Sequence, residues 1–306
     1  MSVVDLTTPP PQPPALRTDL RTDLPRRLTL TLPELRLAAA LAGDTPLPFS
    51  PADRDDRRLV HRLGATGDTP AAYARALGAL PEPRDSLSRR GLLGDSGLDG
   101  SLTGALGLLG APRLALDLAV TVAGRQARSW HRQAGDMVAS LATSDGLVFE
   151  LAWFLTRQWA DELARVARLP EDLAPTASAV PSFVGLPYEL ADAAGEALRT
   201  HRAELLPELV ARWPGQVVDA EGRPLDQAAA VVLLSALTTE TRGRLRVLAA
   251  ASGRTPIAVA SWLLVGDGWR AVRPDRAEVA DRVELRAVAP EDLSPELAHL
   301  LAGVVS

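Results

Sequence analysis

The clearest pattern in the chain is a strict alternation of large and small or polar residues at 114–122. Every second residue is a large aliphatic one: Leu114, Leu116, Leu118, Val120 and Val122. This alternation is typical of a strand with one buried face. Three further strands are predicted at 126–132, 136–143 and 147–154. The last two are joined by Ser-Asp-Gly at 144–146, a hairpin turn because Asp-Gly tolerates positive φ, and a helical period follows at 157–169.

The same order of elements returns near the C-terminus. Arg244-Leu245 corresponds to Arg113-Leu114 and Trp262 to Trp130, at offsets of 131 and 132 residues, and Glu296-Leu297-Ala298 corresponds to Glu162-Leu163-Ala164 at 134. The pattern favours a duplication over two unrelated meanders. We therefore predict an α+β fold of two quasi-symmetric halves, each with helices and an antiparallel β-meander closed by a C-terminal helix.

Proline-rich segments suggest where the halves begin and end. Residues 1–25 contain five prolines between positions 9 and 14 and are expected to be a disordered tail. We predict a first half at 26–169, a linker at 170–187 and a second half at 188–306. Before the first meander we expect a strand at 27–31, helices at 32–41, 51–63 and 70–80, and a short helix at 102–109. Before the second we expect one or two helices at 188–213 and another at 226–239.

Composition narrows the class of protein. Hydrophobic residues make up 46% and charged residues 23% of the 306 positions, which predicts a folded chain. A net charge of −5 argues against a nucleic-acid binder. The chain has no Lys, no Asn and one Ile, Ile257, which suggests a GC-rich genome such as that of an actinobacterium. No signal peptide and no membrane-length apolar run is visible, so we expect a cytoplasmic protein without stable membrane insertion.

The sequence offers few groups for catalysis. Cysteine is absent, and none of the four histidines, His61, His131, His201 and His299, has a second ligand-type residue at metal spacing. The glycine-rich segment 91–110 lacks the Gly-Lys-Ser/Thr ending of a phosphate loop. We predict no catalytic, metal or cofactor site. The remaining enzyme hypothesis is a reaction of unrecognised type with His131 or His201 as the base.

Large apolar residues are the better candidates for a binding surface. Trp is enriched at interaction hot spots, although packing in the core is the alternative for each of the six tryptophans. The end of the linker and the helices after it could equally cover the core or form a groove for an apolar helix. The predicted partner-binding residues are Trp130, Trp262, Phe183, Leu186, Tyr188, Leu205, Trp213 and Leu233.

Three segments resemble the EspG family of ESX (type VII) secretion-associated proteins. They are Leu28-Thr-Leu-Thr-Leu-Pro-Glu-Leu35, Arg90-Gly-Leu-Leu with Ala-Pro-Arg-Leu-Ala-Leu-Asp-Leu at 111–118, and Gly266-Asp-Gly-Trp-Arg-Ala-Val272 before a terminal helix. The resemblance covers about 26–303. It implies a cytosolic chaperone without catalytic residues or cofactor, whose partner is the apolar tip of a PPE protein or PE–PPE heterodimer. The other hypotheses are a dimeric regulatory or scaffolding protein and, as the less favoured one, an enzyme of unrecognised type.

Overall fold

The fold consists of helices and antiparallel strands, in a computed structural model that describes residues 25–49, 70–251, 258–274 and 282–305. The strands are β1 (Arg26–Thr31), β2 (Leu93–Gly94), β3 (Gly97–Leu98), β4 (Leu114–Val122), β5 (Arg125–Ala134), β6 (Met137–Thr143), β7 (Val148–Leu155), β8 (Phe183–Pro187), β9 (Gly243–Ala251), β10 (Ala258–Val265), β11 (Gly268–Pro274) and β12 (Arg282–Val288). The α-helices are α1 (Leu32–Leu41), α2 (Pro70–Gly78), α3 (Pro83–Arg89), α4 (Gly100–Gly110), α5 (Trp159–Ala167), α6 (Tyr188–Arg199), α7 (Leu206–Ala211), α8 (Gln227–Thr239) and α9 (Leu293–Val305). This order confirms the predicted α+β class.

The described chain divides into two compact units. The first takes the described residues of 25–117, with 126–159 and 249–251, and the second takes 118–125, 160–248 and the described residues from 258 onward. In the first unit the strands run in the antiparallel order β1-β7-β6-β5. In the second unit the corresponding order is β8-β12-β11-β10, also antiparallel. The predicted boundaries of the halves, 26–169 and 188–306, stay predictions.

In the first unit, helices α1 and α4 bury their apolar residues against one face of the strands. Helix α1 begins with a capping box, in which the Thr31 hydroxyl accepts from the Glu34 amide and the Glu34 carboxylate accepts from the Thr31 amide. Burial opposes ionisation of Glu34, but hydrogen bonds from Thr31 and Ser86 and the charge of Arg90 hold its pKa below the ordinary value. The capping box thereby ties α1 to the end of α3, because Arg90 Nη1 lies 3.1 Å from Glu34 Oε1.

In the second unit, helices α6, α7 and α8 pack together over one face of the strands. Their core contains Leu190 and Ala194 from α6, Leu206 and Val210 from α7, and Leu233 and Leu234 from α8, packed on Val184, Leu186 and Leu285 from the strands. Strand β8 leads directly into α6, so Leu186 is buried while Tyr188, two residues later, is exposed. Helix α9 lies at the opposite face of these strands, where Trp262 Nε1 donates to Glu296 Oε2 over 2.8 Å.

The strands of the two halves correspond in register. The 3-10 helices Thr156–Gln158 and Pro290–Asp292 follow β7 and β12, and Leu155 and Ala289 hold the same capping position before them, at an offset of 134. The same offset relates Leu151 to Leu285, whose partners on the next strands are Leu141 and Val272, at an offset of 131. The increase of the offset from 131 to 134 therefore lies wholly in the connections, since the β11–β12 connection is three residues longer than the β6–β7 connection. This register confirms the quasi-symmetry of the predicted halves.

The register also corrects the predicted match of Trp130 with Trp262. Leu141 pairs with Trp130, whereas Val272 pairs with Ser261. Trp130 is therefore equivalent to Ser261, and Trp262 is equivalent to His131. Because neighbouring residues of a strand point to opposite faces, Trp130 packs among the helices of its unit, whereas Trp262 points toward α9.

The predicted linker 170–187 lies in the second unit, and its last five residues form β8, paired with β12. The Thr176 amide donates to the Gly266 carbonyl over 2.8 Å, and the Ala179 amide donates to Glu240 Oε1 over 2.9 Å. The buried guanidinium of Arg270 donates to the carbonyls of Val180 and Pro181 over 2.9 and 3.0 Å. We call residues 174–182 the strap.

Several other elements differ from the predictions. The region 188–213 forms two helices, and Pro207 lies in the first turn of α7 instead of kinking a longer helix. Helix α3 and the short β2–β3 hairpin were not predicted. The predicted helix at 51–63 and the tail up to residue 24 lie outside the described residues. Within the described ranges, no helix has the length and apolar character needed to cross a bilayer.

Candidate partner-binding surface

Helix α8 has no charged residue along its thirteen positions, although one side of it faces solvent. Ala230, Leu233 and Leu234 form its buried side, and Ala236, one turn after Val232, is buried as well. On the opposite side, Ala228 is exposed and the Val232 side chain is 57% exposed. A surface helix normally carries charged or polar residues on its solvent side. The exposed polar residues of α8, Gln227, Thr238 and Thr239, are uncharged and lie at its ends, so its middle is suited to contact another apolar surface.

A groove of about 310 Å³ adjoins the N-terminal end of α8. It is lined by residues of α7, α8 and the segment between them: Val210, Ala211, Trp213, Pro214, Gly215, Val217, Leu225, Gln227 and Ala230. The Gln227 side chain fixes one wall, because its Nε2 donates to the carbonyl of Pro207 over 3.1 Å. Most of the lining is apolar, and α8 contributes Gln227 and the buried Ala230 to it.

Four predicted partner-binding residues reach the surface of the second unit. Tyr188 is 54% exposed at the start of α6, and Leu205 and Trp213 are partly exposed near α7. Phe183 is also partly exposed, but its ring is covered by the Arg286 guanidinium, 5.1 Å from the ring centroid. Partner contact by these four residues stays a prediction, and Trp213 is the one placed beside α8.

The other four are core residues in this structure. Leu186, Leu233 and Trp262 are at most 2% exposed and Trp130 is 5% exposed. Trp130 packs against Phe49, with ring centroids 5.4 Å apart, and Trp262 against Trp269 at 6.2 Å. Partner contact by these four residues likewise stays a prediction.

Sequence reasoning missed Val232, the most exposed large apolar residue among those described. The signal was present, since 226–239 was recognised as a very apolar helix. Placing Ala230, Leu233, Leu234 and Leu237 on one side at a period of 3.6 puts Val232 on the other side. Choosing Leu233 instead selected the core side of the same helix.

Acidic residues outnumber arginines in the region of the chain that contains this uncharged surface. Residues 188–240 contain nine Asp or Glu and four Arg. Three of the four arginines form ion pairs within this region: Arg199 with Glu196, Arg202 with Glu204, and Arg223 with Asp219 and Glu221. The amide of Arg223 and its guanidinium hold the pKa of Asp219 below the ordinary value. We call the exposed carboxylates of this region the acidic rim. Since nine acidic residues stand against four arginines, the region carries a net negative charge at neutral pH.

The histidines lie in unrelated places. His131 is buried, and its Nδ1 accepts from Trp159 Nε1 over 2.9 Å. His201 is exposed after α6 with φ of 59°, and His299 is exposed on α9. His61 lies outside the described residues. Among the described residues no group of three or more His, Asp or Glu could hold a metal ion.

Comparison with known proteins finds similarity in structure but not in sequence. No family model and no curated protein matches the chain. The structure is similar to that of EspG5 from Mycobacterium tuberculosis, described as a type VII secretion system chaperone and solved in complex with the PE25–PPE41 dimer. The identity is 13% and the TM-score 0.59, over 90% of this chain and 96% of EspG5. The chain thus has the EspG fold that its sequence pattern predicts.

Proposed function

We propose that the protein is a cytoplasmic chaperone that binds the apolar helical tip of a PPE-like protein, alone or paired with a PE-like protein, and delivers it to a type VII secretion system. Binding involves no chemical reaction. An apolar tip buried against a preformed surface is removed from water, which favours the complex and lowers the concentration of free, aggregation-prone tip.

The observation that carries this proposal is the uncharged exposed side of α8 beside the Trp213 groove, in a chain with the fold of EspG5. The EspG5 structure contains a PE–PPE dimer, so a partner of this class suits the fold. An apolar helical tip suits the surface, because Val232 and the groove offer aliphatic and aromatic contacts without a charge to desolvate.

Co-expression with the PE–PPE pairs of the same genome tests the proposal. We expect the full chain to co-purify with at least one pair. Val232→Glu should reduce the recovered complex at least tenfold, because an ionised carboxylate would be buried at the centre of the contact. Glu is also the better helix former, so α8 itself should be retained.

The matched control is Val148→Glu, at the first position of β7 in the first unit, where the valine is 39% exposed. This change adds the same charge away from α8 and should leave co-purification unchanged. The proposal fails if no pair co-purifies, or if both variants retain the partner equally. The predicted homodimer is a separate hypothesis, which light scattering of the free chain tests by its molar mass.

A further inference from the structure

We infer that the partner of the α8 surface carries Lys or Arg side chains beside its apolar tip, an inference that rests on the proposed function. The apolar part of the surface determines that a tip binds there, and the acidic rim determines which tips bind best. The occupant is thus a helical tip with basic flanks, and not a second copy of this acidic chain.

The first step concerns α6, which packs against α8. Glu189, Asp192 and Glu196 are spaced by three and four residues, so they share one side of α6. All three are exposed, whereas Leu190, Ala194 and Ala197 on the other side are buried. A row of carboxylates therefore runs along a helix that borders the uncharged surface.

The second step concerns α7, the other helix packed against α8. Its Glu208 is exposed and follows Pro207, whose carbonyl accepts from Gln227 of α8. This contact places Glu208 next to the first turn of α8. The two helices that pack against α8 thus each present at least one exposed carboxylate.

The helix dipole does not account for the whole rim. The helix dipole stabilises Glu189 and Glu208 in the first turns of their helices. Asp192 lies in the second turn, and Glu196 lies in the last turn, where the dipole favours cations. Within the described part of the chain, no arginine forms an ion pair with Glu189, Asp192 or Glu208, so their charges are available to a ligand.

A basic flank is the complementary chemistry. Opposite charges around an apolar contact speed association about tenfold or more at low ionic strength, and salt screens the effect. An acidic flank would instead be repelled by the carboxylates of the rim, which would weaken binding. The surface should therefore discriminate between tips of equal apolarity by the charge of their flanks.

Two designed helical peptides test the inference with the full-length protein. They share one Leu/Val side and differ only in carrying four lysines or four glutamates on the flanks. Fluorescence anisotropy measures the Kd of each at about 0.05 M and about 0.5 M salt. We expect the lysine peptide to bind at least tenfold more tightly at low salt, with most of this preference lost at high salt.

Charge-neutralising variants locate the effect. Asp192→Asn combined with Glu208→Gln should reduce the lysine preference at least threefold and leave the glutamate peptide no weaker. The control, Glu82→Gln combined with Asp95→Asn, changes the net charge equally at exposed positions of the first unit and should preserve the preference. Val232→Gln, which changes no charge, should weaken both peptides alike.

Each result has a distinct meaning. Equal binding of the two peptides, with both weakened by Val232→Gln, overturns the inference and leaves the proposed function intact. A lysine preference that is unaffected by Asp192→Asn with Glu208→Gln also overturns it, because the charge then acts elsewhere. If neither peptide binds, or if Val232→Gln affects neither, the α8 surface is not the docking site and both proposals fail there.

Discussion

At the scale of single residues, His131 and Trp262 hold equivalent strand positions but use hydrogen bonds of opposite direction. Trp159, the first residue of α5, donates its indole N–H to His131, whereas Trp262 donates its own to Glu296 of α9. The same place in the duplication is thus an acceptor in one half and a donor in the other. Each bond satisfies a polar group that packing has removed from water.

Trp262→Phe tests the second of these bonds. The change keeps an aromatic ring in the core but removes the donor to the buried Glu296 carboxylate, which then relies on Arg273 at 3.3 Å. We expect the free energy of unfolding to fall by about 1–3 kcal/mol, measured by urea denaturation. Trp213→Phe, at the partly exposed groove, should change it by less than about 0.5 kcal/mol. Equal effects of the two changes would show that the buried bond adds nothing.

Glu240 makes the attachment of the strap sensitive to pH. Partial burial opposes its ionisation, but hydrogen bonds from the Ser178 hydroxyl and the Ala179 amide hold its pKa below the ordinary 4.5. A lowered pKa stabilises the fold above pH 4.5, and this stabilisation is lost as the pH falls through the lowered value. Glu240→Gln should therefore be less stable than the parent protein at pH 7.

The difference between the parent protein and Glu240→Gln should shrink as the pH falls below 4.5, measured by urea unfolding at several pH values. Glu204→Gln is the control at an exposed residue whose carboxylate meets Arg202 at 3.3 Å, and it should show little difference at either end of the range. A gap for Glu240→Gln that stays constant with pH would contradict the assigned role.

At the scale of elements, the β10–β11 turn is held against the strap by a close backbone approach. A Cβ on Gly266 would lie 2.7 Å from the Ala177 carbonyl oxygen and 3.2 Å from that of Thr176. Gly266→Ala should therefore destabilise the protein by about 1–3 kcal/mol in thermal or urea unfolding. Gly195→Ala, inside α6 with open space at its Cβ, should instead stabilise it by about 0.5–1 kcal/mol. An unchanged stability of Gly266→Ala would mean that the strap moves aside without cost.

Strong periodic patterns were enough to predict most elements. The strand predicted at 114–122 is β4, and the helix predicted at 32–41 is α1. Strand β8 was read as linker because it is only five residues long and ends on Pro187. Its strand conformation depends on pairing with β12, about a hundred residues away. Local sequence carries no signal of such a distant partner.

At the scale of the whole molecule, the duplication was predictable from the order of elements but its register was not. Matching the tryptophans gave an offset of 132, whereas backbone pairing gives 131, and one residue reverses the face of a strand. Trp262 was chosen as a partner-binding residue because Trp is enriched at interaction hot spots. The candidate site was predictable as a region, in the helices of the second half. The exposed side of α8 was not predictable, because it depends on which elements cover the other side of the helix.

The strap has a consequence for dividing the chain. Composition suggests a cut within the proline-rich stretch, with the second half beginning at Tyr188. Such a fragment would leave Arg270, 3% exposed in the intact protein, without the carbonyls of Val180 and Pro181. Loss of these acceptors from a buried charged group lowers the free energy of unfolding. A stable fragment of the second half should therefore begin upstream of Ala174. Proteolysis that separates the two halves should also cut upstream of Ala174, because the prolines after that residue belong to the second half.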